Sequence, residues 1–452
     1  MTAVSRRHGA AVFTATVALM VCAAAAAVYG LRLTGRLPGA GYAPLAWLWL
    51  PVLALLIGQT ALYCGSRPHR ARPDQQPALD RLHTTVLVPV YNEDEGYLRA
   101  TLSSLLAQSR WPHCVHVVDD GSTQPYPGVQ QWWLAAARTA GVDASWTRTD
   151  NRGKRHAQVT AAAHCPHAQI LVTVDSDAQL APDALHELLQ PFADARVQAV
   201  AGLVLASNNR RGVLSRMTDL WYTTMQLVDR SALSALGAVL VSSGSLAAYR
   251  AEILRDHTPS YLGETFLGRP VTFSDDSLLT LFALTRGRVV QQTSAVVFTA
   301  MPEKVGHHVR QYVRWMRGST IRSLWRARHL PLSHPAYAAQ LARWLQQATY
   351  TAALAYLTAV HLRQQQPPSP LLLAVPFLVT ASQTLRYLTI RRDDEPLRSQ
   401  IATFALTPLA LLWSWTVLRP ARWYATVTCA RTGWGTRTGG PEVTLTPHPA
   451  AS

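Results

Sequence analysis

Apolar positions are spread unevenly along this chain. They gather into uncharged runs near both ends, and in the middle they occur as short β-branched runs separated by polar stretches. Gly9 to Leu31 carries no charge until Arg32, long enough to cross a hydrocarbon core that needs about 20 residues. A second uncharged stretch, Gly41 to Ser66, follows at once. Ser5, Arg6, Arg7 and His8 precede the first run, so a cleaved leader is the competing reading. A leader would leave the second run as the anchor and would put the next domain in the cytoplasm only by reversing its orientation. A hairpin with both basic flanks inside is simpler, and it is the expectation.

From about residue 80 to 330 the pattern changes to that of an α/β unit. The runs TTVLVPV (84–90), VHVVDD (115–120) and ILVTVDSD (170–177) alternate with helix-like stretches such as 95–108 and 181–190. That alternation predicts a mostly parallel sheet covered by helices, with ligands at the carboxyl ends of the strands. Three further apolar segments follow. Trp344–Val360 is uncharged but contains Gln346, Gln347, Thr349, Tyr350 and Thr351; Pro367–Leu385 is cleaner; Ser399–Leu418 is interrupted by Pro408 and has basic flanks. Hydropathy alone gives five spans. The bias of positive charge toward the cytoplasm favours an even number, four, with the last segment interfacial or re-entrant. The tail from Thr438, rich in Pro and Thr, reads as disordered.

The 452 residues carry a formal charge of +16, which could point to nucleic acid. The basic residues, however, sit mainly beside apolar segments, as in RPHRAR (67–72) and RRDDEPLR (391–398), where they hold loops on the cytoplasmic side. No nucleic-acid partner is expected; a lipid bilayer is. Cys22, Cys64, Cys114, Cys165 and Cys429 are scattered, without zinc or redox spacing, and read as reduced small hydrophobes.

Carboxylates cluster where strands end. Asp119 and Asp120 precede Gly121 and Ser122, and a carboxylate there can accept from a base N–H while the glycine lets backbone approach a ligand; an ordinary Asp-Gly turn explains the same letters. PVYNEDE adds Tyr91 and Glu93 at an equivalent strand end, or else a helix start that Asp94 and Glu95 favour. In VDSD, Asp175 and Asp177 are two apart, so an extended chain points both the same way, able to share a cation and a diphosphate. Oxygen ligands suit Mg²⁺ or Mn²⁺. NRGKRHAQ supplies Lys154, with Arg155 and His156 beside it, as a phosphate or base partner or a solvated helix start. FSDDSLL places Asp275 and Asp276 before an apolar run, as a helix cap or as a general base. QYVRW gives Gln311, Arg314 and Trp315 within a basic stretch from Lys304 to Arg328 that reads as an interfacial helix with snorkelling cations.

Taken in order, PVYNE, DDGS, GKRHAQ, VDSD, SGS, SDD, QYVRW and the late WGTR resemble the processive family 2 glycosyltransferases, most closely the bacterial hyaluronan synthases and the chitin-oligosaccharide synthases of nodulating bacteria. The resemblance covers about residues 10–437, and the Gln-x-x-Arg-Trp element marks its processive members. It implies a GT-A catalytic domain combined with transmembrane helices: a hairpin at 1–72, a cytoplasmic GT-A domain with interfacial helices at 73–335, a channel region at 336–437 and a tail at 438–452. It implies that Tyr91, Glu93, Asp119, Asp120 and Lys154 hold the uridine end of the donor, and that Asp175 and Asp177 hold the sugar diphosphate and its metal. Asp276 would be the base with Asp275 beside it, Gln311 and Arg314 would bind diphosphate, Trp315 would stack on the acceptor, and Trp434 to Arg437 would close over the donor.

The expected reaction is polymerisation of UDP-N-acetylglucosamine and UDP-glucuronate at the plasma membrane, with the growing polysaccharide passed across the bilayer. The alternatives are a single-donor chitin-like or other β-glycan synthase, a polyprenyl-phosphate glycosyltransferase, and, from another class, a transporter with a degenerate enzyme-like domain. This chain departs from the family where Ser274 stands for the glycine of Gly-Asp-Asp and Ser245 for the proline of Ser-Gly-Pro, positions that bear on the sugar more than on the reaction class.

Overall fold

The computed structural model describes residues 9–34, 43–364, 370–390, 392 and 394–433. Ten strands are assigned among these: β1 Thr84–Val90, β2 Cys114–Asp120, β3 Asp143–Thr149, β4 Ile170–Thr173, β5 Gln179–Leu180, β6 Val197–Ala206, β7 Ala247–Arg250, β8 Thr265–Phe266, β9 Arg269–Pro270 and β10 Arg288–Thr299. Eight of them form one sheet in the order β3-β2-β1-β4-β7-β6-β10-β5, and β8 with β9 makes a separate hairpin.

The apolar stretches at 86–90 in β1 and 117–118 in β2 follow from burial on both faces of the sheet. Val86, Val88 and Val90 face one cluster, with Leu98, Leu102, Leu105 and Trp133, whereas Leu87 faces the other, with Ala157, Ala161, Leu278 and Leu281. Helices therefore cover both faces, as the sequence pattern requires. The sheet is mixed rather than simply parallel. β1, β2, β3 and β4 run parallel, as do β6 and β10, but β7 lies antiparallel between β4 and β6, and β5 antiparallel on β10. In this register Val90 pairs with Asp119 and Leu87 with Thr173. The loops after β1, β2 and β4 thus emerge side by side at one edge of the domain.

The apolar ends fold onto this unit as helices. Gly9–Thr34 packs on Ala43–Gly65 and Pro370–Thr384, with Met20, Ala23, Val52, Leu56, Val375 and Val379 between them. Among the described residues Ala10–Gly30 is the one helix long and apolar enough to cross a membrane by itself, and Leu397–Phe404 with Thr407–Val427 forms a second candidate bent by 44°. The expected second span falls in the uncharged 23-residue helix Ala43–Gly65, which contains the apolar stretch Pro51–Tyr63. Of the third and fourth, Pro335–Gln364 carries Arg343 and its glutamines inside a 30-residue helix, and Pro370–Thr384 has 15 residues.

Candidate active site

The strand register gathers the polar motifs around one cavity of about 1050 Å³, whose lining includes Tyr91, Glu93, Asp120, Lys154, Asp175 and Asp177. Asp275, Asp276, Gln311, Arg314 and Trp315 also border it. Asp119 does not. It is buried beneath the floor, where Oδ1 accepts from the Ser122 amide at 2.9 Å and Oδ2 from Arg148 at 2.7 Å. Asp120 is also fully engaged, accepting from the amides of Arg152 at 3.0 Å and Gly153 at 2.8 Å. It thereby fixes the loop that leads into the helix Lys154–His164. Gly121 has φ +72, and a Cβ there would stand 2.5 Å from the Asn151 amide nitrogen, so only glycine lets the two loops meet. Glu93 reaches the third loop, accepting from Ser176 Oγ at 2.8 Å.

Lys154 caps the carboxylate cluster, with Nζ 2.6 Å from Asp175 Oδ1 and 3.2 Å from Asp275 Oδ2. Burial alone would depress its pKa, but Asp175 and Asp275 outweigh that and hold the ammonium above its ordinary range. The helix Asp275–Leu284 begins with the paired carboxylates in its positive first turn; its N-cap is Ser274, whose side chain makes no capping bond, so the carboxylates favour the dipole without capping the helix. Burial would raise Asp275, yet Lys154 and Arg155 keep it below the usual carboxylate value. For Asp276, burial together with the Asp275 charge outweighs the opposing pull of Lys154 and pushes it up to about 6. The two adjacent carboxyls are thereby pushed apart, Asp275 toward the anion and Asp276 toward the protonated acid.

Asp175 Oδ2 accepts from Ser245 Oγ at 3.1 Å, and Asp177 Oδ2 from Thr299 Oγ1 at 3.1 Å. Among the described residues no group of three or more His, Cys, Asp or Glu side chains is arranged to hold a metal ion. Two cavity-facing carboxylates still fit Mg²⁺ or Mn²⁺, which commonly take one or two protein carboxylates and complete their shells with substrate phosphate and water.

On the opposite wall, Gln311, Arg314 and Trp315 project from the helix Val305–His329. The Trp315 ring stacks on Tyr222, centroids 5.8 Å apart, and the Tyr222 hydroxyl lies 3.0 Å from Ser243 Oγ of the SGS segment. Tyr222 carries no motif, so sequence reasoning missed it. The helix also departs from the snorkelling expectation: Arg322 and Arg326 are buried, with Arg322 paired to Glu264 and Arg326 donating to the Leu240 carbonyl at 2.7 Å. Trp434 and Arg437 lie outside the described residues. Just before them, the Thr432 carbonyl accepts from Thr272 Oγ1 at 3.1 Å, beside the turn that carries Asp275.

A mixed sheet whose loop edge gathers carboxylates, a lysine and stacked aromatic rings around one cavity has the architecture of a GT-A-like catalytic domain. Residues 85–258 match the glycosyl transferase family 2. Hyaluronan synthase from Streptococcus pyogenes is 31% identical over 394 residues, covering 85% of this chain and 88% of the relative. An N-acetylglucosaminyltransferase from Neorhizobium galegae is 29% identical over 84% of this chain and 86% of its own. A mannosyltransferase from Pyrobaculum calidifontis, solved with GDP-Man and Mn²⁺, shares the fold at a TM-score of 0.52 and 23% identity, covering 88% of this chain and 99% of that one. The chain belongs to glycosyl transferase family 2 and is an enzyme of the hyaluronan-synthase-like kind.

Proposed function

We propose that this enzyme is a membrane-embedded, processive, inverting transferase that polymerises UDP-sugars into a β-linked polysaccharide and passes it across the bilayer. Hyaluronan from UDP-N-acetylglucosamine and UDP-glucuronate is the product that the Streptococcus pyogenes relative favours. The observation that carries the reading is the reach of the cavity. From Asp175, Asp276 and Trp315 it extends to Gln59, Gln347, Tyr350 and Gln383 of the apolar-end helices, which offer hydrogen-bonding groups to a sugar chain among apolar neighbours such as Val379 and Leu411. The same continuity supports multi-pass insertion with the catalytic domain in the cytoplasm, where the donor would be supplied.

In the proposed step the acceptor hydroxyl lies over Trp315 and gives its proton to Asp276 as its oxygen bonds to the anomeric carbon from the face opposite the diphosphate. The bond from that carbon to the phosphate oxygen breaks, its electron pair leaves with UDP, and the configuration inverts. Tyr91, Glu93, Asp119, Asp120 and Lys154 form or brace the nucleotide side, and Gln311 and Arg314 meet the diphosphate. Asp175 and Asp177 would hold Mg²⁺ or Mn²⁺, which when bound neutralises charge on the departing UDP.

The Neorhizobium galegae relative supports a second reading, a single-donor synthase of N-acetylglucosamine oligomers. Purified protein in lipid, given the UDP-sugars singly and in pairs, decides between them. Hyaluronidase-sensitive polymer only with both donors supports hyaluronan; chitinase-sensitive product from one donor replaces it; no transfer with any UDP-sugar refutes both.

A further inference from the structure

Glu264 lies in the segment between the helix Ala251–Leu262 and β8, where nothing in the sequence singles it out. Its side chain is 5% exposed. One oxygen accepts from Arg155 Nη2 at 2.7 Å and Arg322 Nη2 at 2.6 Å. The other accepts from Arg322 Nη1 and from Trp325 Nε1, the latter at 3.1 Å. One carboxylate therefore gathers two guanidiniums and an indole, with a net positive charge left in the cluster.

The two arginines arrive from opposite sides of the active site. Arg155 follows Lys154 on the donor-side helix, and Arg322 lies two turns beyond Trp315 on the acceptor-side helix. Both continue to the turn that presents the catalytic pair. Arg155 donates to the Phe273 carbonyl at 2.8 Å and to the Tyr261 carbonyl at 2.9 Å. Arg322 Nε donates to Ser277 Oγ at 3.2 Å, and Ser277 Oγ donates to the Ser274 carbonyl at 3.0 Å. Ser274 itself stands at φ 62, ψ 39, in the left-handed region that a non-glycine residue keeps only where its surroundings over-determine it.

We propose that Glu264 is a positioning residue for sugar transfer: it locks the donor-side helix, the acceptor-side helix and the strained turn together, so that Asp276 faces the acceptor hydroxyl held over Trp315. This rests on the reading of Asp276 as the base. Without the carboxylate charge, Arg155 and Arg322 are left buried and facing each other without their shared anion. The turn then loses its grip on both sides, while the nucleotide loops, held by Asp120, keep theirs.

The test compares Glu264→Gln, which keeps the shape and removes the charge, with Glu264→Asp, which keeps the charge but retracts it by one methylene. Each is purified in the same lipid, and turnover, donor KM and UDP affinity are measured beside Asp276→Asn. Glu264→Gln is expected to lose about tenfold or more in turnover with KM and UDP affinity within about twofold, and Glu264→Asp to fall between it and the parent. Turnover within about twofold of the parent in Glu264→Gln overturns the proposal, and so does a parallel fall of turnover and UDP affinity, which marks general damage. If Glu264→Gln does not fold, Glu264→Asp decides, and full turnover there overturns the proposal. Retained turnover in Asp276→Asn defeats the base assignment instead. Loss in Asp276→Asn with retention in Glu264→Gln defeats the positioning role alone.

Discussion

Gly318 offers the sharpest test of how tightly the acceptor-side helix is seated. A Cβ built there would lie 2.7 Å from the Ser274 Cβ, closer still to the Ser274 hydroxyl, and 3.4 Å from Phe273 Cε2. In an open helix, glycine to alanine would gain about 1 kcal/mol of propensity. Here the methyl meets a residue that cannot retreat, because Ser274 is fixed in a left-handed turn with its hydroxyl 2.5 Å from Ser277 Oγ. Overpacking of this kind costs about 1–3 kcal/mol, and two atoms inside 3 Å put it at the upper end, leaving a net destabilisation of about 1–2 kcal/mol for Gly318→Ala. The larger effect is on rate. If the helix and turn part by about half an ångström, the catalytic carboxylate moves with them, and turnover falls about tenfold, given that a 1 Å misplacement can cost about 10²-fold.

The assay is polymer synthesis by Gly318→Ala and by Ser274→Gly/Gly318→Ala in the same lipid, with apparent melting compared at one scan rate. The second variant removes both atoms that block the methyl and is expected to recover most of the loss. Parent-like melting and synthesis in Gly318→Ala, or a double variant no better than the single, would refute the packing argument.

Asp177→Asn is expected to weaken cation-dependent UDP binding by about tenfold and to leave binding in EDTA unchanged, measured by titration calorimetry; identical affinities with cation would remove Asp177 from the metal site. Because the base must be ionised and Asp276 is raised to about 6, kcat/KM should fall as pH drops through about 6 and level off above it, and a flat profile between about pH 5 and 8 would contradict the assignment. Thr432 is bonded beside the turn that carries Asp275; Trp434→Ala should reduce synthesis at least about tenfold while sparing UDP affinity, and wild-type synthesis would make it an ordinary anchor.

Much of the site was legible because its chemistry sits at element ends, where a short motif carries its own context. Asp119–Asp120 closes β2, VDSD leaves β4, and Asp275 opens a helix. The strand limits of Thr84–Val90 were readable for a related reason, since a run buried on both faces is uncharged and rich in β-branched residues throughout. The reversal at β7 was not readable, because the four residues AAYR have the same side-chain pattern in either direction. Tyr222 and Glu264 were hidden for another reason. Each works through partners distant in sequence, Trp315 and Ser243 for the tyrosine, Arg155 and Arg322 for the glutamate, and no local spacing encodes such meetings.

That difference explains how the two halves of the site are joined. The proposed nucleotide side consists of loops of one sheet, cross-braced by Asp119, Asp120 and Glu93 within its own frame. The acceptor side is a single helix, Val305–His329, which meets the sheet domain through the Glu264 cluster and also packs on Arg419–Val427, where Arg317 Nη2 donates to Thr428 Oγ1 at 3.1 Å. A polymer that advances after each transfer needs its terminal sugar in register with both the base and the passage. A helix tied at once to the catalytic turn and to the apolar C-terminal helices can supply that register, and one anchored only to the sheet could not. On the proposed processive reading, the mechanical link between transfer and movement runs through Val305–His329, and Glu264 is the charged contact by which that helix grips the turn carrying Asp275 and Asp276.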